Sequence, residues 1–259
     1  MLPYDLQLAL AGLVVGLAVG LTGMGGGALM TPIMVLIFKV DPLVAVGSDL
    51  LASLFMKPIG GFVHLRRKTV RTDIVLWLVI GAVPSAFAGA VLLDHLGAQH
   101  LDQLLKEAIG IALLASAGSM ILRSRIQAMR SRGQQQRPVP LRRFETLAIG
   151  ILGGLLVGLT SVGSGSVIIV LLLILYPGLT SAELVGTDLV QAVPLVGAAA
   201  IGHLFFGDVH LGLTAFLLVG AIPGVYIGAQ FSSRAPDGIV RPALVVILVS
   251  SGLKLLQVI

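Results

Sequence analysis

Residues 74–93 and 211–230 each run for 20 residues without a charged side chain. A helix of that length rises about 30 Å, the thickness of a hydrocarbon core, so each can cross a bilayer alone. Of the 259 residues, 56% are hydrophobic and 11% charged, too few charges to cover the surface of a water-soluble domain. Strand-like alternation is absent, which argues against a membrane barrel. The sequence therefore predicts an all-α polytopic membrane protein. The opening residues, MLPYDLQLAL, have no basic segment and no small-residue cleavage site before the apolar run, and are expected to begin the first spanning helix. Without cysteine, disulfides, thiolate metal sites and thiol catalysis are excluded.

One apolar run is the wrong length. Residues 6–38 carry no charge for 33 residues, about 50 Å as a single helix, which is too long for one crossing and too short for two. Gly23, Gly25, Gly26 and Gly27 mark where it breaks. Residues 146–182 pose the same problem, with the break in TSVGSGS at 160–166.

The two runs belong to an internal repeat. GLAVGLTGMGGGALM from Gly16 aligns with GLLVGLTSVGSGSVI from Gly154, and VGSDL at 46–50 with VGTDL at 185–189. The register holds through His64 and His203, Pro84 and Pro223, and Gly89 and Gly228. This divides the chain into a first membrane unit at 1–123, a basic linker at 124–143 that reads as a solvated loop, and a second unit at 144–259.

Charge sets the orientation. Arg66, Arg67, Lys68 and Arg71 form one basic cluster, and Arg123, Arg125, Arg130, Arg132, Arg137, Arg142 and Arg143 another. Both lie in predicted loops, so the positive-inside rule explains the net charge of +5 better than a nucleic-acid partner does. Three crossings before His64, at about 6–23, 28–38 and 43–63, put the N-terminus outside and the first cluster inside. The second unit then starts inside, inverted relative to the first, and both termini lie outside. FFGDVH, which matches RRKTVR in position, lacks Lys and Arg, as an outside loop should. About 13 of the 17 basic residues fall inside. The expected architecture is about ten transmembrane segments, about eight full length plus short broken ones, in two inverted five-segment repeats. The alternative keeps about eight helices and makes the short pieces re-entrant.

Broken helices in matching positions of inverted halves point to a central binding site, because exposed backbone in hydrocarbon must be satisfied by protein or a polar cavity. The helices restarting at 25–28 and 164–167 would present N–H groups and the positive ends of helix dipoles, which suits an anion. Gly25, Gly26 and Gly27, with Gly163, Ser164 and Gly165, allow close approach; Thr22, Thr160, Ser161, Ser164 and Ser166 would add hydroxyls. Gly12, Gly16, Gly20, Gly150, Gly154 and Gly158, four apart, read instead as helix-packing positions.

Asp49 and Asp188 stand at one repeat position inside apolar sequence, where a carboxylate is costly. They read either as proton-coupling or gating groups, or as internal pairs or N-caps at interruptions in the helix. Lys57, matched by Val196, would suit an anionic substrate, though snorkelling to the cytoplasmic surface is the favoured account. His64 and His203 suit symmetric gating or a proton relay, with helix-end hydrogen bonding the favoured account. Pro84 and Pro223 read as kinks.

A break of the form G-L-x-G-x-G-G-G at 20–27, then Pro32, A-V-G-S at 45–48 and a histidine beside basic residues, repeated in a second half, resembles the TauE/SafE family of sulfite exporters and related permeases. The resemblance spans essentially the whole chain. It implies transport of sulfite, sulfonates or other small sulfur-containing or organic anions across the cytoplasmic (inner) membrane. The family signature falls on Gly25, Gly26 and Gly27 and on Gly163, Ser164 and Gly165, departing from triple glycine at Ser164. The expected function is a secondary transporter working by alternating access around a midplane site. The alternatives are a passive anion channel and an intramembrane serine hydrolase using Ser164 and His203. No nucleotide-binding motif supports ATP-driven pumping. The implied partners are a small anion, the lipid bilayer and a coupling proton or sodium ion, with a homo-oligomer left open; no nucleic acid, cofactor, metal or catalytic residue is expected.

Overall fold

The computed structural model describes residues 3–22, 26–95, 98–129, 139–206, 208–231 and 237–257. Among them there is no strand, and the chain forms ten helices: α1 (Tyr4–Thr22), α2 (Gly27–Leu36), α3 (Pro42–Arg66), α4 (Thr72–His95), α5 (Ala98–Met129), α6 (Arg143–Thr160), α7 (Val167–Leu175), α8 (Ser181–Phe206), α9 (Leu211–Phe231) and α10 (Asp237–Leu255). By length and composition seven of the described helices can cross a membrane: α1, α3, α4, α5, α6, α8 and α9. α10 contributes a shorter apolar stretch, Pro242–Leu255.

The long uncharged runs do break. α2 and α7 have 10 and 9 residues, which rise about 15 Å, half a hydrocarbon core. Each doubles back on the helix before it. The Phe38 ring, just past α2, meets Tyr4 at the start of α1 edge-on at 5.7 Å. Tyr176, just past α7, accepts the Arg142 N–H at 3.0 Å and pairs with Thr146 Oγ1 at 2.5 Å, both at the start of α6.

Local signals start α3 and α8. Asp41 caps α3 by accepting the Leu43 N–H at 2.9 Å, with Pro42 in the first turn. Thr180 and Glu183 close a capping box on α8: the Thr180 N–H donates to Glu183 Oε2 at 2.8 Å and the Glu183 N–H to Thr180 Oγ1 at 3.2 Å. Both helices run straight through the buried aspartates. Asp49 and Asp188 are therefore not N-caps and mark no interruption, because the capping chemistry sits about eight residues upstream.

Small residues set the helix pairs, as expected where lipid removes the hydrophobic drive between helices. A Cβ at Gly12, Gly16 or Gly20 would overlap the carbonyls of Leu217, Ala221 or Val225 on α9, so α1 and α9 run parallel in backbone contact. Gly150, Gly154 and Gly158 meet Leu78, Ala82 and Ala86 in the same way, pairing α6 with α4. The packing reading of these six glycines holds. α3 and α8 run antiparallel, with Gly47 against His203 and Gly60 against Leu189. α5 and α10 also run antiparallel, through Gly110 and Gly252. Large apolar side chains such as Val14, Leu152 and Val219 stay exposed, as a lipid-facing surface requires.

Two turns clamp the opposite halves. At the face carrying Arg66 to Arg71, here the basic face, the Arg71 N–H donates to Thr187 Oγ1 at 3.1 Å and Thr69 O lies against Gly186. Asp73 holds the Arg71 guanidinium at 2.6 Å, which pushes its pKa up. At the other face the His210 N–H donates to Ser48 Oγ at 3.1 Å and Asp208 O lies against Gly47.

The linker boundary differs from expectation. α5 continues through Met129, so Arg123 and Arg125 belong to a spanning helix and not to a loop. No Gly or Pro stands between 119 and 129 to stop it. Residues 130–138 lie outside the described residues.

Candidate substrate site between the two breaks

The second break is built from Thr160 to Ser166. Ser161 closes α6 at φ 59°, and Gly163 and Gly165 follow at φ 119° and 91°, where a side chain would be strained. The Thr160 hydroxyl donates to Leu156 O at 2.7 Å and accepts the Val162 N–H at 3.2 Å, so it shapes the turn. The N–H groups of Ser166, Val167 and Ile168 point at Gly163 O at 3.3, 3.0 and 3.3 Å. The expectation of unpaired donors over 164–167 is therefore corrected at its later positions: the loop folds back and occupies them. Ser166 Oγ donates to Ser116 on α5 at 2.8 Å.

At the first break Gly26 O accepts from Leu29 and Met30 at 2.9 and 2.8 Å, starting α2. Gly25 lies outside the described residues. A Cβ at Gly27 would overlap the Ser161 carbonyl, so the two breaks touch.

Three buried charges surround this contact. Asp49 Oδ2 accepts from Thr31 Oγ1 on α2 at 2.8 Å and from Ser161 Oγ at 2.7 Å. Its Oδ1 accepts no hydrogen bond among the described residues. Asp188 accepts from Gln191 Nε2 at 3.0 Å and faces the Gly165 N–H, with Lys57 and Arg123 as its nearby cations. Lys57 Nζ donates to Ser164 Oγ. Asp49, Asp188 and Lys57 are 0%, 1% and 5% exposed. Snorkelling is thus overturned for Lys57: an acceptor in the other half and a buried carboxylate hold its ammonium inside.

A cavity of about 510 Å³ opens beside Lys57. It runs between α1, α3, α8 and α9 and is lined by Thr22, Lys57, His64, Arg67, Tyr226 and Gln230, among others. No Asp or Glu is among its described lining residues. Arg67 belongs to the turn after α3, so this vestibule reaches the basic face. A much smaller cavity, about 30 Å³, lies on the far side of Thr22, between Arg123, Gly165 and Ser166.

His64 and His203 do not meet. His64 Nδ1 pairs with Thr69 Oγ1 at 2.8 Å. His203 is fully buried, donating through Nε2 to Gly158 O at 3.0 Å and facing Asp208 Oδ2 with Nδ1 at 3.3 Å. Both make helix-end hydrogen bonds to a residue five positions on. Ser164 is bonded to Lys57 and His203 to Gly158 and Asp208, so a Ser164–His203 pair is not assembled.

Sequence reasoning missed Thr31, Gln191, Arg67 and Arg123 as site residues. Gln191 stood one helical turn after Asp188 in apolar sequence, which is a usable signal. Thr31 carried none.

The family model described as Sulfite exporter TauE/SafE matches residues 8–255. "Probable membrane transporter protein YjnA" of Bacillus subtilis is 38% identical over 97% of this chain and 100% of its own length. "Probable membrane transporter protein YdhB" of the same organism is 26% identical over 93% and 96%. "Probable membrane transporter protein MJ0441" of Methanocaldococcus jannaschii is 26% identical over 96% and 94%. No solved structure matches the chain significantly.

Proposed function

We propose that this chain, which belongs to the sulfite exporter TauE/SafE family, is a secondary transporter that moves sulfite, an organosulfonate or a related small anion across the cytoplasmic membrane, driven by an ion gradient. The observation that carries this reading is the vestibule of about 510 Å³, with Lys57 buried beside it, His64 and Arg67 along it, and no carboxylate on its described lining. Such a funnel attracts anions, because low-dielectric walls focus a field of one sign.

The anion enters from the basic face and is drawn past Arg67 and His64 to Lys57. There an oxyanion oxygen replaces Ser164 Oγ as the acceptor of the ammonium, a stronger charge-assisted bond. Asp188 balances Lys57 while the site is empty. Thr22 borders both cavities, with its hydroxyl donating to Ala18 O at 2.7 Å.

In this reading the two halves are inverted copies that rock around the touching breaks. Reciprocal pairing of α1 with α9 and α4 with α6, and the antiparallel pairs α3 with α8 and α5 with α10, support it. The basic face is then cytoplasmic and the termini lie outside.

The test is uptake of radiolabelled sulfite into proteoliposomes, with pH or sodium gradients and competing anions. Saturable, gradient-driven uptake with counterflow is expected. Unsaturable flux without counterflow would assign a channel instead.

A further inference from the structure

We infer that Asp49 is where the coupling cation binds, a proton or a sodium ion received at Oδ1, and that Asp188 is instead the fixed counter-ion of Lys57. This rests on the transport reading above and goes on to assign the residue that couples.

The two aspartates occupy one repeat position and are both buried, yet their surroundings differ in kind. Asp188 has an amide from Gln191, the Gly165 N–H, and two cations, Lys57 and Arg123. Asp49 has hydroxyls, with Thr31 and Ser161 on Oδ2 and Ser53 beside the carboxyl, and only the shared Lys57 as a nearby cation among the described residues. Oδ1 accepts no hydrogen bond of normal geometry among the described residues, although the Ser53 hydroxyl stands beside the carboxyl, and it lies against Gly26 at the break. A Cβ at Gly26 would lie 3.6 Å from Oδ1 and 3.3 Å from Ser53 Oγ. The carboxylate oxygen and a serine hydroxyl therefore converge on Gly26, a position without a side chain.

The charged groups around Asp49 do not fill its need. Lys57, two turns along α3, is bonded to Ser164 and shared with Asp188. His203 on α8 and Asp208 on the following turn pack against neighbouring Gly47 and face each other. α2 and the second break supply hydroxyls alone among the side chains bonded to Asp49. A buried carboxylate so placed is balanced by a small cation that comes and goes.

The position also explains how binding is felt. Asp49 Oδ2 ties α2 to the second break through Thr31 and Ser161, across the seam where Gly27 meets Ser161. A cation on Oδ1 draws charge from Oδ2 and loosens both bonds, so cation occupancy biases whether the breaks stay closed.

The experiment compares Asp49→Asn with Asp188→Asn in proteoliposomes, reading gradient-driven accumulation of radiolabelled sulfite and sulfite exchange without a gradient. Asp49→Asn should lose gradient-driven accumulation at least tenfold relative to its own rate of exchange, whereas in Asp188→Asn accumulation and exchange should fall together. A pH gradient and a sodium gradient, imposed separately on the parent protein, tell which cation acts. Accumulation at the parent level in Asp49→Asn overturns the assignment, as does loss of both activities. A second measurement is independent of sulfite: infrared pH titration and sodium-dependent thermal shift of the substrate-free protein in detergent. The parent should show a protonated-carboxyl band or a sodium shift that Asp49→Asn lacks. A parent with neither signal overturns the cation site, whereas a signal without sulfite uptake leaves it standing and removes sulfite as substrate.

Discussion

At the first break Gly26 faces the Asp49 carboxylate; at the second, Ser161 and Ser164 face a carboxylate and an ammonium. Both of those charged groups, Asp49 and Lys57, ride on α3, so one helix of the first half brings both charges to the break of the second. α8 does not return the favour. Its counterpart of Asp49, Asp188, faces Gly165 of its own half, and the counterpart of Lys57 is Val196. Repetition thus supplies the scaffold, two broken helices meeting at one point, while the chemistry is divided unequally within it.

The sharpest way to break that asymmetry is Lys57→Met. It removes the cation from the floor of the vestibule and takes from the buried Asp188 one of its two nearby cations. Sulfite uptake should fall at least ~100-fold, with a lowered unfolding temperature in detergent. Ser164→Ala removes the acceptor of Lys57 in the empty state. A hydrogen bond to a charged group is worth about 1.5–3 kcal/mol, so unfolding in the absence of substrate should come several degrees earlier, while saturating sulfite should recover much of the difference. Gly27→Ala forces the two breaks apart, and a methyl in so tight a contact should cost about 1–3 kcal/mol, read as a lower unfolding temperature and slower exchange. The contrast is Gly118→Ala, where a Cβ meets nothing within 4 Å: stability should stay within about 0.5 kcal/mol of the parent and transport should not change.

The repeat made much of the scaffold legible. The lengths of the uncharged runs located α2 and α7, and the four-residue glycine spacing marked the packing faces of α1 and α6, though not α9 and α4 as the helices they meet. Residue identity inside an apolar run also exposed Asp49 and Asp188, since a carboxylate there must be balanced. What was not legible was each charge's partner. Lys57 read as a snorkelling side chain because nothing near it in sequence could hold it; its acceptor is 107 residues away. Thr31, a lone hydroxyl between apolar neighbours, becomes a site residue only when α2 folds back beside α3. One of the two readings of the aspartates, as caps at interruptions, arose because Gly-Ser and Gly-Thr look like helix starts, while the true caps, Asp41 and Thr180, stand upstream. The expected donors at the second break were partly taken up by Gly163 O, a local closure set by positive φ angles that spacing does not reveal.

In the proposed transport cycle an anion reaches Lys57 through the vestibule on the basic face. The chain has no cysteine, so Val63→Cys, on the vestibule wall, introduces a single thiol. The measurement is its labelling by a membrane-impermeant maleimide applied from either side of oriented vesicles, with and without methanesulfonate, an organosulfonate that, unlike sulfite, does not consume the maleimide. Labelling is expected from the cytoplasmic side, slowed by the sulfonate, with no such protection when Lys57→Met is added. Labelling from the opposite side alone, or labelling that the sulfonate leaves unchanged, would overturn the vestibule as the route of the anion.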